Sequence, residues 1–383
     1  MEEADFVEIL ASVGRFVRER VLPREAEIDE RDEVPADLVQ ACKEMGLFGY
    51  ALPPGYGGLG LTMEQETRLV FELGYTTPAL RSLFGTNNGI AGRTVLLGGT
   101  EQQRQAWLPR LASGEVVSAF ALTEAEAGSD PTGLRTAAVR DGDGWVIDGA
   151  KRYITNAPVA GVFMVFARSD PDATGPAGIT AFLVPRDVAG LEVGPRDHKM
   201  GQFGAWTADV SFTGVRVPAD AVVGGAAGVG QGYVTAMRSL GHGRIQIAAL
   251  CVGMAGRLVD EMVNYARDRR QGGTPIAEFQ LVQGLLADSV TEHLAGRSLV
   301  LEVARGYDAG TDTRLGPSAA KYFASEMVGR VADRAVQVHG GAGYMRGVPV
   351  ERFYRDARLF RIYEGTSQIQ QLVIARQALR RTS

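Results

Sequence analysis

Cysteine and histidine are scarce in this 383-residue chain, which has two cysteines and four histidines. Cys42 and Cys251 stand far apart and in no redox or metal-binding motif, and the histidines show no ligand spacing. This pattern argues against a disulfide framework and against a metal site. We expect both thiols to be buried and to pack as small apolar groups.

Long apolar runs and an excess of positive charge are missing as well. No stretch approaches the ~20 apolar residues of a membrane-spanning helix, and the acidic start from Met1 to Asp5 is unlike a secretory signal. The net charge is -5 and no basic stripe occurs, which argues against a nucleic-acid partner. With 45% hydrophobic and 22% charged residues, the composition is typical of a globular protein. We expect a cytoplasmic protein that binds neither nucleic acid nor membranes.

The first third of the chain has a helical pattern. Apolar residues such as Phe6 and Val13 recur at helical spacing within residues 1–114, which predicts an N-terminal α-helical domain. Thr100 followed by Gln103 has the spacing of a capping box and predicts the start of a helix.

The pattern changes twice after that domain. Residues 115–224 contain short β-rich runs separated by turn residues, which predict a middle antiparallel β domain. Glycine-rich residues 224–232 form a candidate linker, and residues 225–383 predict a C-terminal four-helix bundle because long amphipathic patterns return there. The fold class is therefore α+β. The four predicted helices cover residues 233–270, 276–308, 317–337 and 365–380.

One glycine-rich loop has the spacing of a dinucleotide-binding motif. Residues 55–60 match G-x-G-x-x-G, but that motif needs a preceding strand and a helix whose N-terminus meets the phosphates. Pro53 and Pro54 stand where the strand would end, and no βαβ units follow. We interpret the match as a loop without a nucleotide role.

The most informative stretch lies near the C-terminus, where Glu364 precedes Gly365 at the start of the last predicted helix. Taken alone, this carboxylate is explained by its attraction to the helix dipole, worth ~0.3–1 kcal/mol. The longer runs around it carry more information. Residues 361–370 (Arg-Ile-Tyr-Glu-Gly-Thr-Ser-Gln-Ile-Gln), together with 337–344 and 354–358, closely resemble the C-terminal signature of acyl-CoA dehydrogenases.

The resemblance extends over essentially the whole chain and implies that family's three-domain fold, its FAD cofactor and its chemistry. It implies that Glu364 removes the α-proton of an acyl thioester while the β-hydride passes to flavin N5, giving a trans-2-enoyl thioester. Some members of the family place the base near position 243, where this chain has Gly243, so Glu364 is the only candidate. The residues implied to contact the substrate are Ser129, Arg244, Tyr363 and Gly365.

Two segments of the β domain resemble the flavin site of the family. In residues 120–130 the family has a threonine that hydrogen-bonds the flavin and a serine beside both cofactor and thioester. In residues 151–156 an aromatic residue packs on the isoalloxazine ring and a threonine bonds N5; this chain has tyrosine where tryptophan is common. The implied flavin contacts are Phe120, Leu122, Thr123, Ser129, Tyr153 and Thr155.

Residues 268–276 resemble the segment whose arginine reaches the FAD pyrophosphate of a neighbouring subunit. A planar guanidinium suits phosphate because it forms paired, charge-assisted hydrogen bonds, and glycines in the opposing segment permit close backbone approach. Sharing of this kind implies a homotetramer built as a dimer of dimers. The implied contacts are Arg269, Gln337, Gly340 and Gly341, with Thr366 and Gln368 also facing FAD.

Four positions depart from the family's pattern. Phe203 and Ala205 stand where arginine and serine are usual, and Gly272 replaces a phenylalanine that packs on the cofactor. The usual aspartate is missing at Gly241, so this predicted helix start offers no carboxylate and more room for the thioester arm. The changes at 203, 205 and 241 are either neutral for packing or typical of a divergent substrate site.

The resemblance implies an FAD-dependent acyl-CoA dehydrogenase that passes electrons to an electron-transfer flavoprotein. Three alternatives stay open: a dehydrogenase of acyl carrier protein thioesters in a biosynthetic pathway, an oxygen-using oxidase or N-hydroxylase on the same fold, and a catalytically silent flavin-binding protein. Net negative charge disfavours an acidic carrier protein, and Glu364 and Thr155 favour a dehydrogenase. Acyl chain length and branching are left open.

Overall fold

The computed structural model describes residues 1–380, and the chain begins with seven helices. Two of them start with capping boxes, at Thr62 and at Thr100, in which threonine and a glutamine three residues later exchange side-chain and backbone hydrogen bonds. The predicted helix start at Thr100 is thereby confirmed. The helices are α1 (Glu3–Phe16), α2 (Glu25–Arg31), α3 (Ala36–Glu44), α4 (Met63–Gly74), α5 (Pro78–Asn88), α6 (Ile90–Gly98) and α7 (Glu101–Ala112).

A seven-stranded sheet follows. Its strands are β1 (Ser118–Ala121), β2 (Ala137–Asp141), β3 (Gly144–Thr155), β4 (Val162–Arg168), β5 (Ile179–Pro185), β6 (Leu191–Arg196) and β7 (Thr207–Pro218). The β2–β3, β3–β7, β6–β7 and β4–β5 pairs are antiparallel, as predicted for the domain. β1 and β2 instead pair with β4 in parallel. Parallel neighbours need a crossover connection, and the β2–β3 hairpin lies between β1 and β4 in sequence.

Helices return after the sheet and form the predicted bundle. The elements are α8 (Gly232–Asp268), the hairpin of β8 (Arg270–Gln271) and β9 (Thr274–Pro275), α9 (Gln280–Asp308), α10 (Leu315–His339), the short α11 (Pro349–Ala357) and α12 (Ser367–Arg380). α9 begins four residues later than predicted because Pro275 and a 3-10 turn over Ile276–Glu278 precede it. Within residues 1–380, no helix is long and apolar enough to cross a membrane.

The N-terminal helices and the bundle share one hydrophobic core. Leu73 of α4, Leu250 of α8 and Val328 of α10 all belong to it and are fully buried. α4 and α8 approach closely where Gly74 meets Gly253, since a Cβ at Gly253 would lie 2.8 Å from the Cα of Gly74. The candidate site lies at this junction of α4, α5, α8 and α10.

The glycine-rich segment between sheet and bundle is an ordered connection rather than a free linker. Gly225–Gly228 forms a 3-10 turn. The side chain of Gln103 ties the connection to α7: its amide donates to the carbonyls of Asp220 and Val222 at 2.7 Å and its oxygen accepts from the Gly224 amide at 3.0 Å. Gln103, the last residue of the predicted capping box, therefore also anchors the connection that leads into the C-terminal bundle.

Both cysteines are buried, as predicted. Burial raises the pKa of the Cys42 thiol to about 12, and it raises that of Cys251 as well. Because the thiolate is the reactive form of cysteine, neither side chain is set up for nucleophilic or redox chemistry.

Candidate active site

Glu364 lies in a strained turn between a 3-10 turn (Arg358–Arg361) and α12. Its φ is 51° and that of Gly365 is 91°, so both residues are in the left-handed region, which a residue with a Cβ adopts rarely. Two side chains hold the turn. Lys321 Nζ donates to the Gly365 carbonyl at 2.7 Å, and Gln370 Nε2 donates to the carbonyls of Glu364 and Gly365 at 3.2 and 3.1 Å. Backbone strain fixed by its surroundings is typical of functional sites.

The carboxylate of Glu364 is in an unusual environment. The residue as a whole is only partly buried, but its Oε2 is shielded from solvent and has no hydrogen-bond partner among the described residues. Burial raises the pKa of Glu364, although Arg81, Lys321 and Arg244 lie near enough to oppose the shift. An unpartnered buried carboxylate costs folding free energy, so a role in chemistry is the simplest reason to keep it.

Gly243 of α8 faces this carboxylate directly. A Cβ built at position 243 would approach Glu364 Oε2 closer than 3.0 Å and would lie 3.1 Å from Ile90 Cγ2. The structure therefore has no space for a side chain at 243 while Glu364 keeps its position. Positions 364 and 243, the two places for the base that the sequence analysis considered, therefore compete for the same space.

A chain of buried polar groups that was not predicted extends away from Glu364. Arg81 of α5 donates from Nη2 to the Gln246 side-chain oxygen, and Gln246 Nε2 donates to Glu66 at 2.6 Å. Glu66 in turn lies 3.1 Å from His242 Nε2. Four side chains from α4, α5 and α8 thus converge beside Glu364. One feature of the sequence could have indicated this cluster: α5 begins with the apolar residues Pro78, Ala79 and Leu80, and Arg81 follows them directly.

The two segments predicted to contact the flavin, residues 120–130 and 151–156, lie side by side. The Arg152 amide donates to the Thr123 carbonyl at 2.9 Å. Beneath them Lys151, 1% exposed, donates to Glu124 at 2.7 Å, and burial lowers the pKa of this lysine to about 8. Glu124 also accepts from the backbone and hydroxyl of Thr136, so it fixes the loop that follows Thr123.

Tyr153 projects from a β-bulge. The register of β3 against β7 shifts between Lys151 and Ile154, and Tyr153 has a φ of 58° and is 60% exposed. A bulge turns a side chain out of the strand's alternation, and a positive φ is strongly disfavoured for an aromatic residue. This combination turns the Tyr153 side chain toward solvent rather than into the core, with the Arg152 guanidinium 5.0 Å from its ring centroid.

The end of β3 is attached to the helix that carries Arg81. Asn156 Nδ2 donates to the Ser82 carbonyl at 2.9 Å and to Thr86 Oγ1 at 3.1 Å. Thr155, the last residue of β3, therefore lies next to α5, whose Arg81 lies near Glu364. Of the other predicted flavin contacts, Leu122 is buried, Phe120 packs against Phe166 and Ser129 is exposed.

The second predicted cofactor group lies at the far end of the bundle. All four predicted residues are exposed: Arg269, Gln337, Gly340 and Gly341. Near them Tyr265 of α8 stacks on His339 of α10, with 4.1 Å between the ring centroids. Gly340 has a φ of 56°, and no atom lies within 4 Å of a Cβ built on it or on Gly341. This backbone is open to the approach of another molecule.

The two cofactor groups of one chain are well separated. Lys321 of α10 contacts the Glu364 turn, and Gln337 lies 16 positions further along the same helix, which corresponds to ~24 Å at 1.5 Å per residue. Thr366 and Gln368 stay near the turn, where they line a cavity of about 330 Å³ with Arg358 and Arg361. The Thr366 hydroxyl also accepts from the Ile369 amide at 3.2 Å and so caps α12.

Family models match nearly the whole chain. The models described as the N-terminal, middle and C-terminal domains of acyl-CoA dehydrogenase match residues 3–115, 119–215 and 230–379. The chain belongs to the acyl-CoA dehydrogenase family. It is therefore an oxidoreductase of a family of flavoproteins, as the resemblance of its motifs implied.

Relatives of known name differ in the acyl group that they are named for. The caffeyl-CoA reductase-Etf complex subunit CarC of Acetobacterium woodii is 36% identical over 97% of this chain and 98% of its own length. Butyryl-CoA dehydrogenase from Megasphaera elsdenii is 31% identical with a TM-score of 0.93, covering 99% of both chains. Glutaryl-CoA dehydrogenase from Mycobacterium smegmatis is 34% identical with a TM-score of 0.91, covering 99% of this chain and 95% of its own.

Three of the four departures from the acyl-CoA dehydrogenase pattern have a structural reason. Gly272 takes a φ of 57° in the two-residue turn between β8 and β9, which a phenylalanine would adopt only with strain. The Phe203 ring lies 5.2 Å below the Arg355 guanidinium. Ala205 is buried in the hydrophobic core that the N-terminal helices share with the bundle, where a methyl group needs no hydrogen-bond partner.

Gly241 lies in the third turn of α8 rather than at the start of the helix. A Cβ there would make one ordinary contact, 3.4 Å from the carbonyl oxygen of Thr313 in the turn between α9 and α10. The extra room expected at this position stays a prediction. The contact with Thr313 was not predicted because the two residues are 72 positions apart and meet only in the folded chain.

Proposed function

We propose that this protein is an FAD-dependent dehydrogenase that converts an acyl-CoA thioester to the trans-2-enoyl thioester, with Glu364 as the base for the α-proton. The observation that carries the proposal is the buried, unpartnered Oε2 of Glu364 in a turn fixed by Lys321 and Gln370. A base with a raised pKa accepts a carbon-bound proton more readily than an ordinary carboxylate. The positive charges of Arg81, Lys321 and Arg244 oppose this rise in the pKa of Glu364. They therefore favour the ionised carboxylate before the reaction.

The backbone of the turn supports the second requirement of this reaction. An α-proton is removed more easily when the thioester oxygen is hydrogen-bonded, because negative charge develops on it. The Glu364 amide, outside any helix or strand, makes no backbone hydrogen bond within residues 1–380. We assign it as a donor to that oxygen, beside the carboxylate that takes the proton.

The residues of the site fit a flavin. Tyr153 offers an exposed aromatic face on a strained bulge, and Thr123 and Thr155 lie on neighbouring stretches. Arg269 offers an exposed guanidinium beside the open backbone of Gly340 and Gly341, a combination suited to phosphate. When bound, FAD would supply the acceptor for the hydride of the β-carbon.

Coenzyme A is the proposed carrier and an electron-transfer flavoprotein the proposed acceptor. The three relatives described above are all named for CoA thioesters, and the one from Acetobacterium woodii is named as part of an Etf complex. The net charge of -5 favours CoA over an acidic carrier protein.

The test of this function is anaerobic flavin bleaching across a panel of CoA thioesters. We expect at least one saturated acyl-CoA to bleach the flavin and to yield the 2-enoyl thioester by mass spectrometry. Bleaching only by the carrier-protein form of the same acyl group would contradict the choice of CoA. Stoichiometric oxygen consumption during turnover would identify an oxidase, and no bleaching by any thioester would identify a silent flavin-binding protein.

The separation of the two cofactor groups supports a shared site and a homotetramer. The Glu364 group and the Arg269 group are ~24 Å apart along α10, which suits two subunits that each complete the other's FAD site. We expect a dimer of dimers in light scattering. A monomer that holds FAD stoichiometrically would contradict the shared site.

Replacing Arg269 with alanine is expected to weaken FAD binding. The side chain is exposed in the single chain, so its loss removes no internal contact of the core and acts through the ligand. Thermal stability should fall at limiting FAD and recover at excess FAD, because a ligand bound only by the folded state stabilises it by mass action. Arg267→Ala, also exposed at the end of α8, is the matched control and should leave the FAD dependence unchanged.

A further inference from the structure

Gln202 lies in the loop between β6 and β7 and has a strained backbone. It is 2% exposed, and its φ of 54° is in the left-handed region that a residue with a Cβ adopts rarely. Gly201 before it lies so close to α11 that a Cβ there would be 2.8 Å from the Arg355 carbonyl carbon. Strain of this kind persists only where the surroundings fix it, so the contacts that hold Gln202 indicate its role.

Asp356 of α11 is the anchor of Gln202. Its Oδ1 accepts from the Gln202 backbone amide, and its backbone carbonyl accepts from Gln202 Nε2 at 3.2 Å. From the other side, Lys199 Nζ donates to the Gln202 carbonyl at 2.9 Å. Asp356 is 1% exposed, and the arginines of its own helix, Arg352 and Arg355, are paired with other carboxylates. The buried carboxylate of Asp356 therefore holds the strained loop and not an arginine.

The side chain of Gln202 connects this anchor to Tyr363, the residue before the base. Burial raises the pKa of the Tyr363 phenol well above its usual value, and a hydrogen bond with the Gln202 side chain opposes the rise. The Tyr363 ring also packs against Phe360, with 5.9 Å between the ring centroids. Tyr363 is thus held both at its ring and at its hydroxyl.

The position of Tyr363 decides where the Glu364 amide points. That N–H belongs to the peptide unit between the two residues, and a peptide unit is planar, so the Tyr363 backbone sets its direction. Lys321 and Gln370 hold the carbonyl side of the turn, after the base. Gln202 holds the side before the base, through a different part of the chain.

We propose that Gln202 is a positioning residue of the reaction: anchored by Asp356, it holds Tyr363 so that the Glu364 amide is aimed at the thioester oxygen. The inference rests on the proposed function, because it requires an acyl thioester in the site. A hydrogen-bond donor accelerates such a reaction only when it points to the place where negative charge develops. Gln202 acts on that donor through Tyr363.

The first test measures flavin reduction by an acyl-CoA that bleaches the unmutated, FAD-loaded protein. Gln202→Leu removes the side-chain amide at similar volume. We expect the rate at saturating acyl-CoA to fall at least about tenfold. The half-saturating concentration should change little, because the aim of the donor matters most in the transition state. Gln102→Leu, exposed on α7, is the matched control and should keep the rate.

A double-variant comparison tests whether Gln202 acts through Tyr363. Tyr363→Phe removes only the hydroxyl and should lower the rate by a factor similar to that of Gln202→Leu. Because both changes break the same contact, the double variant should be no slower than the slower single variant. Losses that multiply in the double variant would contradict the proposal.

Infrared spectroscopy separates the aim of the amide from a general loss of structure. In the FAD-loaded Glu364→Gln protein, an acyl-CoA with an isotope-labelled thioester carbonyl binds without turnover, and the carbonyl band reports its hydrogen bonds. Adding Gln202→Leu should move this band toward that of the free thioester, because a weaker hydrogen bond raises the stretching frequency. Tyr363→Phe should move it in the same direction.

Other outcomes overturn the assignment. A slower reaction with an unchanged carbonyl band would mean that Gln202 supports only the fold, and an unchanged rate would exclude it altogether. If Gln202→Leu does not fold, the rate and the band of Tyr363→Phe decide. Absence of bleaching in the unmutated protein would refute the proposed function itself, whereas normal bleaching with an unaffected Gln202→Leu would refute the role of Gln202 alone.

Discussion

Replacing Glu364 with glutamine is expected to abolish flavin reduction by acyl-CoA while the protein stays folded and yellow. The amide keeps the size and polarity of the carboxyl group but accepts no proton from carbon. A positioned general base contributes typically 10²–10⁴-fold to the rate, and the buried carboxylate of Glu66, the other one in this cluster, is already bonded by Gln246 and His242. Rapid-mixing absorbance of the flavin under anaerobic conditions measures the effect.

The control and the pH profile make this result specific. Glu278→Gln, at an exposed position before α9, should leave reduction unchanged. In the unmutated protein only the ionised carboxylate acts as base, so the rate should fall as the pH is lowered through the raised pKa of Glu364, above its ordinary value of 4.5. The glutamine variant should lack this acidic limb. Reduction within about tenfold of the unmutated rate, or ~1.4 kcal/mol of barrier, would assign the base elsewhere.

Local patterns of the sequence predicted the helical parts well. The capping box at Thr100 lies where it was expected, because its two hydrogen bonds involve residues only three positions apart. The long helices of the bundle were predicted to within a few residues for the same reason: apolar periodicity is repeated over many turns. The Glu364 turn was found through its resemblance to a known family, since the strain at φ 51° leaves no local signal besides the following glycine.

Features that depend on distant segments were missed. The cluster of Arg81, Gln246, Glu66 and His242 joins α4, α5 and α8 across up to 180 positions, and no periodic pattern connects these residues. The parallel pairing of β1 with β4 was missed because register between strands more than 40 positions apart is decided by the assembled core. At Gly241 the sequence showed a missing side chain but not the Thr313 carbonyl oxygen, which lies 3.4 Å from the position of a Cβ there.

The close fit of Gly243 against the base leads to the second large expected effect. In Gly243→Ala the new Cβ would lie closer than 3.0 Å to Glu364 Oε2 and 3.1 Å from Ile90, so the carboxylate has to move. Misplacing a catalytic group by about 1 Å can lower the rate ~100-fold. The Glu364 backbone cannot follow freely, because Lys321 and Gln370 hold it. We therefore expect flavin reduction to fall by about two orders of magnitude, with FAD still bound.

Gly241→Ala is the matched control, two residues earlier in the same helix. Its Cβ would make an ordinary contact of 3.4 Å with the Thr313 carbonyl and would not meet Glu364. Alanine is favoured over glycine in a helix by ~1 kcal/mol, so both variants gain the same helical propensity and differ only in what the new methyl group meets. We expect Gly241→Ala to keep its rate of flavin reduction and its melting temperature to stay level or rise. Equal loss of activity in both variants would mean that the stiffness of α8, rather than the position of the Glu364 carboxylate, limits the reaction.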